Sequence, residues 1–292
     1  MPELPEVETI VRDLRKEVLH RTFIDIWTDA KGMIKKDTLE SFKKKLIGKE
    51  IIGVRRRAKN ILIDLSDDYI LLIHQKIAGH LLFGKWKQEK GIWVSEKEGP
   101  LLTDPINKYL HVIFTLDDKK QLALSDARKF AKVELWKKKE LMSSKEFSKI
   151  GPEPLTDVFT LSEFKKLFEK KKGKIKQVLM DQNFISGIGN IYASEILFKA
   201  KIHPEEEIKN LKDEDLKNIY TAMRDILNKA IELRGDSFSD FRTLYGEKGG
   251  AQNMNKVYQK ENQPCYRCKG MIKRITQGGR GTFFCPKCQI KR

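Results

Sequence analysis

Four cysteines near the C-terminus lie in the sequence CYRCKGMIKRITQGGRGTFFCPKC, residues 265–288. Cys265 and Cys268 form one Cys-x2-Cys pair, and Cys285 and Cys288 form a second pair after 16 intervening residues. Two knuckles of this spacing typically hold four thiolates in a tetrahedron around Zn²⁺, with no open position for a substrate. We therefore predict one structural Zn²⁺ in a C-terminal zinc-finger β-hairpin. Four free thiols or a redox pair are the alternatives.

The cysteine module, residues 257–292, is too short to bury a large core, so metal binding would supply its folding energy. Many basic side chains surround the cysteines, and such a surface either contacts phosphate or is merely solvated. They are Lys269, Lys273, Arg274, Arg280, Lys287, Lys291 and Arg292. The preceding 264 residues contain no cysteine. This pattern indicates a reducing compartment, and we expect a cytoplasmic protein rather than a disulfide scaffold.

The composition predicts a folded, basic protein with a polyanionic partner. The 292 residues carry 58 Lys and Arg against 41 Asp and Glu, a net charge of +17, and 40% are hydrophobic. The length suits two or three domains, and the apolar content excludes a disordered basic tail. No apolar run is long enough for a transmembrane helix, and the start lacks the features of a secretory signal. We expect nucleic acid as the partner, although surplus lysine can also serve solubility alone.

Residues 1–136 predict one helix followed by many short strands. Apolar positions recur at helical spacing over residues 3–19, with Pro2 and Pro5 tolerated near the first turn. Eight β-like runs follow, which together predict an antiparallel sandwich or barrel. The runs are Phe23–Trp27, Glu50–Arg55, Asn60–Leu65, Tyr69–His74, His80–Lys85, His111–Leu116, Gln121–Ser125 and Lys132–Trp136.

The pattern changes after Trp136, and we predict an α+β multidomain chain. Residues 137–159 are charged and contain Gly151-Pro-Glu-Pro154, which indicates a linker. Residues 160–256 form a helical domain, with helices up to 234 and a long loop over 235–256. Residues 257–292 are the zinc finger.

A glycine-rich segment, Ser186-Gly-Ile-Gly-Asn-Ile-Tyr192, precedes one of these helices. Glycines allow a phosphate to approach the backbone closely, and the start of a helix attracts anions. The segment is therefore a candidate phosphate-binding site, with Asn190 as an additional hydrogen-bond donor. A tight turn between two helices is the alternative.

The first residues offer a candidate nucleophile. Loss of Met1 would leave Pro2 with a free secondary amine, and an α-amino group titrates near ~8. Such an amine can attack an aldehyde-like sugar carbon to form an iminium, with Glu3 as general acid. The alternative is that Pro2 and Glu3 are ordinary residues of a helix start.

Six segments in order along the chain resemble the formamidopyrimidine-DNA glycosylase family. Each matches a recognisable element of that family: its N-terminus, its β-hairpin lysine, its intercalation loop, its interdomain marker, its helix–two-turn–helix motif and its zinc finger. The segments are Met1-Pro-Glu-Leu-Pro-Glu-Val-Glu-Thr9, Arg56-Arg-Ala-Lys59, Asp126-Ala-Arg-Lys-Phe130, Gly151-Pro-Glu-Pro-Leu155, Gly187-Ile-Gly-Asn-Ile-Tyr192 and Gly279-Arg-Gly-Thr-Phe-Phe-Cys-Pro-Lys-Cys-Gln289.

The resemblance implies a two-layer antiparallel β-sandwich with an N-terminal helix, a helix–two-turn–helix DNA-binding domain and the zinc hairpin. It also implies a bifunctional glycosylase and lyase acting on oxidised purines in duplex DNA, 8-oxoguanine or formamidopyrimidines, after the nucleotide leaves the stack. Pro2 would attack C1′, Glu3 would protonate the ring oxygen, and Lys59 would lie beside the phosphate. Arg280, grouped with these catalytic residues, would clamp a flanking phosphate.

The resemblance further implies the DNA contacts. Arg128 and Phe130 would enter the gap in the duplex, as wedging side chains do. Asn190 would join Arg280 on the phosphates, with Lys171 as a further contact. The loop 235–256 matches the family's lesion-capping loop in length, which would bring Ser237 and Phe238 near the base.

Three positions depart from the family pattern and bear on lesion preference. Ile77 stands where the family has a void-filling methionine, and it is stiffer because it is β-branched. Tyr109 stands for a DNA-contacting histidine, and it cannot become cationic near neutral pH. Ala131 replaces the usual glycine after the wedge phenylalanine.

Other functions remain open from the sequence. An endonuclease VIII-like glycosylase would prefer oxidised pyrimidines, and a non-catalytic zinc-containing DNA-damage sensor would need only the charge, the hairpin and the Asn190 turn. An RNA- or ribosome-associated zinc protein would not explain residues 126–130. We expect a monomer with double-stranded DNA as partner, no membrane association and no nucleotide cofactor.

Overall fold

A computed structural model describes residues 1–292, which form two compact units. The first contains Met1–Ser148 and Leu233–Gln252, and the second contains Lys149–Glu232 and Asn253–Arg292. No helix in either unit combines the length and the apolarity needed to cross a bilayer.

The first unit begins with helix α1, Leu4–Glu17, and is otherwise mostly β-structure. Apolar residues at helical spacing bury one face of α1, including Val7, Ile10 and Leu14, each fully inaccessible to solvent. The other elements, in chain order, are β1 Phe23–Thr28, β2 Ile34–Lys35, α2 Leu39–Leu46, β3 Ile51–Arg57, β4 Asn60–Leu65, β5 Tyr69–His74, β6 His80–Gly84, β7 Trp86–Glu89, β8 Ile92–Ser95, α3 Pro100–Thr103, β9 Leu110–Leu116, β10 Gln121–Ser125, β11 Lys132–Lys137, α4 Lys138–Ser143 and α5 Lys145–Ser148.

Two sheets form the sandwich. One has the strand order β1-β9-β10-β6, and the other has the order β2-β11-β5-β4-β3. Neighbouring strands are antiparallel, except that β2 runs parallel to β11. A single apolar core joins side chains of α1 and both sheets, such as Val11, Phe114 and Ile63. This architecture confirms the predicted helix and two-layer sandwich.

Several short elements were not predicted from the sequence. Helix α2 begins after Thr38, whose hydroxyl accepts a hydrogen bond from the Ser41 N–H (3.2 Å). Strands β7 and β8 form a separate hairpin. Helices α4 and α5 occupy the first half of the segment interpreted as a linker, because Leu141 buries against Leu62, Ile70 and Leu72 on the outer face of the second sheet.

The segment Leu233–Gln252 belongs with the sandwich, whereas the sequence analysis assigned 235–256 to the helical domain. Its polar groups find partners on the N-terminal helix and beyond it. Arg234 pairs with Asp13 (2.6 Å), and Arg242 pairs with Asp104 (2.6 Å). These ion pairs join residues more than a hundred positions apart in the chain, so local sequence patterns do not report them.

The second unit contains four helices and the cysteine hairpin. They are α6 Leu161–Phe168, α7 Ile175–Leu179, α8 Asn190–Ala200, α9 Asp213–Glu232, β12 Lys273–Gln277 and β13 Arg280–Phe284. Phe159, Phe164 and Tyr220 form part of an aromatic cluster between α6 and α9. The hairpin packs on α8 through Phe198 and Phe283.

Candidate active site and nucleic-acid interface

The start of α1 holds the predicted nucleophile and acid. Pro2 is buried, and Glu3 is 3% exposed and forms the N-cap of the helix. A capping box orders this turn: the Glu3 side chain accepts from the N–H of Glu6, and the Glu6 carboxylate accepts from the N–H of Glu3 at 2.7 Å. The position of Glu3 is therefore set by two reciprocal hydrogen bonds.

Glu6 has a second function that the sequence analysis missed. Its Oε1 accepts the backbone N–H of Asp236 at 2.8 Å, so one buried carboxylate ties the segment Leu233–Gln252 to the start of α1. Gly235 precedes this contact with φ +82, and a Cβ built there would lie 3.0 Å from Glu6 Cγ. Glycine is therefore required for this close approach. The signal in the sequence was the glutamate three residues after the N-cap.

Lys59 lies in the two-residue turn between β3 and β4 and is 5% exposed. Ala58 adopts a left-handed conformation there (φ 54), and its carbonyl accepts from Arg56 at 3.0 Å. Arg56 also pairs with Glu8 of α1 at 3.0 Å. Although burial raises it, the charges of Arg56 and Arg12 hold the pKa of Glu8 below its ordinary value. The turn carrying Lys59 is thus anchored to the helix that carries Pro2 and Glu3.

The predicted intercalation loop, residues 126–130 and called the wedge loop below, is held by hydrogen bonds at its base and exposed at its tip. Asp126 is fully buried, and its carboxylate accepts from the backbone N–H groups of Arg128 (3.0 Å), Phe130 (2.8 Å) and Ala131 (2.7 Å). The Phe130 ring is nevertheless 56% exposed. An exposed aromatic ring on a loop fixed by a buried carboxylate suits insertion between bases.

Two of the three departures from the family pattern, Ile77 and Tyr109, belong to segments that meet this loop. Ile77 is 43% exposed and Tyr109 is 46% exposed. The Tyr109 carbonyl accepts from the N–H of Asp126 at 2.9 Å. A Cβ built at Gly79, two residues after Ile77, would lie 3.0 Å from the Cβ of Ala131. The first unit therefore brings the four predicted DNA-facing residues Ile77, Tyr109, Arg128 and Phe130 onto adjoining segments.

The segment Leu233–Gln252 presents Phe238 and buries Ser237. The Ser237 hydroxyl donates to the Phe241 carbonyl (2.8 Å) and accepts from the Gly249 N–H (2.8 Å), which closes the segment on itself. Phe238 is 58% exposed. Only Phe238 of these two predicted residues offers its side chain to a ligand.

In the second unit, Asn190 is the first residue of α8 and joins it to the cysteine hairpin. Its Oδ1 accepts from Lys176 Nζ at 2.6 Å, and its Nδ2 donates to the Gly281 carbonyl at 3.0 Å. Lys176 also donates to the hydroxyl of Thr282 at 2.7 Å and is only 1% exposed. Lys176 was not singled out from the sequence, because one more lysine directly after the lysine-rich segment 170–174 carries no local signal.

Arg280 begins β13, with its guanidinium exposed. It lines a cleft of about 260 Å³ together with Lys176 and Asp181. Lys171 is already engaged, since its Nζ pairs with Asp181 at 3.0 Å and lies 4.9 Å from the centre of the Phe184 ring. Arg280 is therefore the exposed cation at this cleft, and it lies near the buried Lys176 that is hydrogen-bonded to Asn190.

The four cysteines converge as the spacing predicted. The sulfur atoms of Cys265 and Cys288 are 3.9 Å apart, those of Cys268 and Cys285 are 3.4 Å apart, and all four lie within 4.8 Å of one another. Zn–S bonds of about 2.3 Å in a tetrahedron place sulfurs roughly 3.8 Å apart. The residues therefore fit one structural Zn²⁺, with no position left for a substrate.

Three family models match the chain in order. Residues 1–133 match the formamidopyrimidine-DNA glycosylase N-terminal domain, residues 150–242 match the H2TH domain of that glycosylase, and residues 262–290 match a zinc finger found in FPG and IleRS.

Relatives and solved structures agree with these matches. A formamidopyrimidine-DNA glycosylase of Bacillus subtilis is 36% identical over 293 residues and covers both chains completely. One of Listeria monocytogenes is 36% identical over 289 residues, covering 99% of this chain and 100% of the relative. A Lactococcus lactis FPG mutant in complex with Fapy-dG containing DNA has a TM-score of 0.86 at 34% identity, covering 99% of this chain and 100% of that chain.

Proposed function

The chain belongs to the formamidopyrimidine-DNA glycosylase family, and on that premise we propose that it is a base-excision-repair glycosylase and lyase for oxidised purines in duplex DNA. Its substrates are 8-oxoguanine and formamidopyrimidines. The observation that carries the proposal is the ordered start of α1, where a capping box fixes Glu3 next to Pro2. Similar solved proteins of Lactococcus lactis were captured with Fapy-dG containing DNA and with abasic-site DNA.

Base release follows from the chemistry of a secondary amine. Once Met1 is removed, the Pro2 nitrogen attacks C1′ of the flipped nucleotide, the glycosidic bond breaks, and the base leaves with the bonding electrons and takes up a proton. Glu3 protonates the sugar ring oxygen as the C1′–O bond opens. The nitrogen loses its proton and forms an iminium with C1′.

Strand cleavage uses the same iminium. The positive nitrogen makes the C2′ proton acidic, and loss of that proton expels the 3′ phosphate. A second elimination expels the 5′ phosphate, and water then hydrolyses the iminium to restore the amine. Lys59 supplies positive charge beside the phosphate during these steps.

Binding divides between the two units. Arg128, Phe130 and Ile77 fill the gap left by the flipped nucleotide, and Tyr109 donates to a phosphate. Phe238 covers the extruded base, with Ser237 shaping the segment that carries it.

Asn190 and Arg280 hold flanking phosphates, and Lys171 adds charge nearby. The zinc site shapes the hairpin that presents Arg280 and takes no part in the chemistry. The enzyme acts as a cytoplasmic monomer, since each lesion is a single nucleotide, and the reaction needs no nucleotide cofactor.

Borohydride trapping tests the proposal directly. The wild-type chain should become covalently linked to a duplex with 8-oxoguanine opposite cytosine, because borohydride reduces the iminium to a stable amine. A variant that retains Met1 has an amide at the Pro2 nitrogen and should give no adduct, while still binding the duplex. An adduct of undiminished yield in that variant would assign the nucleophile elsewhere.

A lesion panel tests the substrate class. Excision of 8-oxoguanine should exceed excision of thymine glycol under the same conditions. The reverse order would favour the endonuclease VIII-like alternative, and binding without excision of either lesion would favour a non-catalytic sensor.

A further inference from the structure

Two segments of the first unit face the lesion in the proposed function. The insertion loop, residues 75–79, carries Ile77, and the capping segment, Leu233–Gln252, carries Phe238. We propose that Asn107 and His80 are positioning residues that couple the insertion loop to the capping segment. This inference rests on the proposed function and concerns the order in which its parts engage the lesion.

Asn107 is the centre of the connection. It lies in a short 3-10 helix, Pro105–Lys108, and is 1% exposed. Its Nδ2 donates to the carbonyls of Pro100 (2.8 Å) and Gly246 (3.0 Å). Both amide hydrogens are thereby used, which fixes the orientation of the amide and turns Oδ1 toward His80.

His80 carries the connection to the insertion loop. It is the first residue of β6, directly after Gly79, and is 1% exposed. Its Nε2 lies 3.0 Å from Asn107 Oδ1, and because that oxygen can only accept, Nε2 must carry the hydrogen. Breaking this buried hydrogen bond would leave one of its polar groups without a partner, which is unfavourable. Any displacement of His80 therefore carries Asn107 with it.

The capping segment meets this amide at its closest point. Gly246 has φ +79, and a Cβ built there would lie 2.6 Å from Asn107 Nδ2, so only glycine fits. Next to it, the N–H of Phe83 in β6 donates to the Leu244 carbonyl at 2.8 Å. The strand that starts at His80 is thus connected to the capping segment once directly, through Phe83, and once through Asn107.

A second connection runs from the same 3-10 helix. Asp104 precedes it and pairs with Arg242 at 2.6 Å, and Arg242 also donates to the carbonyls of Ser239 (3.1 Å) and Phe241 (2.8 Å). These two carbonyls flank the turn just after Phe238. The 3-10 helix therefore holds the capping segment on both sides of residues 243–245.

The wedge loop attaches to the same helix. The Ser125 hydroxyl, one residue before Asp126, donates to the Ile106 carbonyl at 2.8 Å. All three loops that the proposed function directs at the lesion site are therefore fastened to one short segment, residues 104–107, of which Asn107 is the buried member. If the insertion loop moves when Ile77 enters the duplex, the displacement would be transmitted to Phe238 through His80, Asn107 and Gly246.

A double-mutant cycle measures this coupling. Single-turnover excision of 8-oxoguanine is measured for Ile77→Ala, Phe238→Ala and the double variant, in the wild-type background and with Asn107→Ala. In the wild-type background the combined loss should differ at least fivefold from the product of the single losses, the low end of typical coupling between sites. With Asn107→Ala it should equal that product within about twofold.

Cleavage of a preformed abasic site is the second readout. No base has to be covered there, so Asn107→Ala should cleave it within about twofold of wild type while excising 8-oxoguanine more slowly. A merely destabilised enzyme would lose both activities. If Asn107→Ala does not fold, as judged by thermal melting, Asn107→Leu replaces it, because leucine has the same branched shape, leaves no cavity and forms none of the three side-chain hydrogen bonds.

The outcomes separate the inference from the proposed function. Equal coupling with and without the Asn107 substitution would overturn the inference and leave the glycosylase intact. A wild-type chain that neither excises 8-oxoguanine nor cleaves an abasic site would overturn the proposed function instead.

Discussion

The starts of helices α1 and α8 use the same electrostatics in opposite ways. A helix N-terminus carries partial positive charge. At α1 the side chains of Glu3 and Glu6 form a capping box, so acidic groups of the chain itself balance that positive charge. At α8 the N-cap is Gly189, which has no side chain, and the first residue, Asn190, sits beside the cation of Lys176.

The start of α1 is suited to catalysis, and the start of α8 is suited to binding the DNA backbone. The start of α1 places an acid at a defined position beside a prospective nucleophile, and neighbouring cations such as Arg56 are paired with carboxylates. The start of α8 concentrates cations and amide donors, which suits a phosphate. Substitutions at the first should alter rates, and those at the second should alter affinity.

The largest effect is expected from Glu3→Gln. The amide oxygen still accepts from the Glu6 N–H, so the helix start should persist and the melting temperature should change little. Excision of 8-oxoguanine should fall by roughly 10²- to 10⁴-fold, the usual contribution of a positioned acid. Single-turnover assays and thermal melting measure both quantities.

Glu40→Gln is the matched control for Glu3→Gln, since Glu40 is an exposed first-turn carboxylate of α2. It should excise 8-oxoguanine at the wild-type rate. Equal losses in the two variants, or full activity in Glu3→Gln, would contradict a chemical difference between the helix starts.

Removal of zinc should weaken DNA binding by the second unit, which contains α8 and the cysteine hairpin. Without the metal the four thiolates no longer coordinate a common ion, and the hairpin that presents Arg280 should unfold. We expect affinity for duplex DNA to drop by roughly 10- to 100-fold at moderate salt, because phosphate contacts are lost. Metal content and DNA binding are measured before and after chelation, and readdition of Zn²⁺ should restore binding. Unchanged affinity in the metal-free protein would separate the hairpin from DNA binding.

Arg280→Ala tests a single phosphate contact. Wild-type binding that neutralises about six phosphates should show a log–log salt slope near −5, and the variant should lower its magnitude by about one. The exposed lysine Lys209 of the same unit serves as control, since Lys209→Ala should leave the slope unchanged. An equal slope for Arg280→Ala and wild type would remove this residue from the phosphate interface.

The smallest effect concerns stability near the insertion loop. Burial lowers the pKa of His74 to about 3, aided by the charges of Lys76, Lys132 and Lys59. The folded state therefore keeps this imidazole neutral while the unfolded chain binds a proton below about pH 6.5, so stability is complete above that pH and falls as the pH drops.

His74→Gln isolates this contribution. Between pH 7.5 and 5.5 the free energy of unfolding of the variant should fall by about 1.4 kcal/mol less than that of wild type. Urea denaturation at the two pH values measures the difference. Identical pH dependence of the two proteins would show that His74 is not held neutral by the fold.

Much of the fold could be predicted from local patterns. The strands Asn60–Leu65, Tyr69–His74 and Gln121–Ser125 have the predicted bounds, because each is an apolar run closed by turn residues. Helix α2 and the hairpin β7–β8 were missed because they are short, and because α2 and β7 are mostly polar. The residues proposed for chemistry came from ordered motifs, and their roles stay predictions until the variants above are measured.

The sequence by itself determined the elements whose cause is local: the apolar face of α1, the strand periodicity and the spacing of four cysteines that brings their thiols together. The tertiary structure decided which distant groups meet. Lys176 reaches Thr282 across 106 residues, and Asn107 reaches Gly246 across 139. Such contacts satisfy buried polar groups, and satisfaction depends on which atoms the folded chain places within hydrogen-bonding distance, a property that no local pattern encodes.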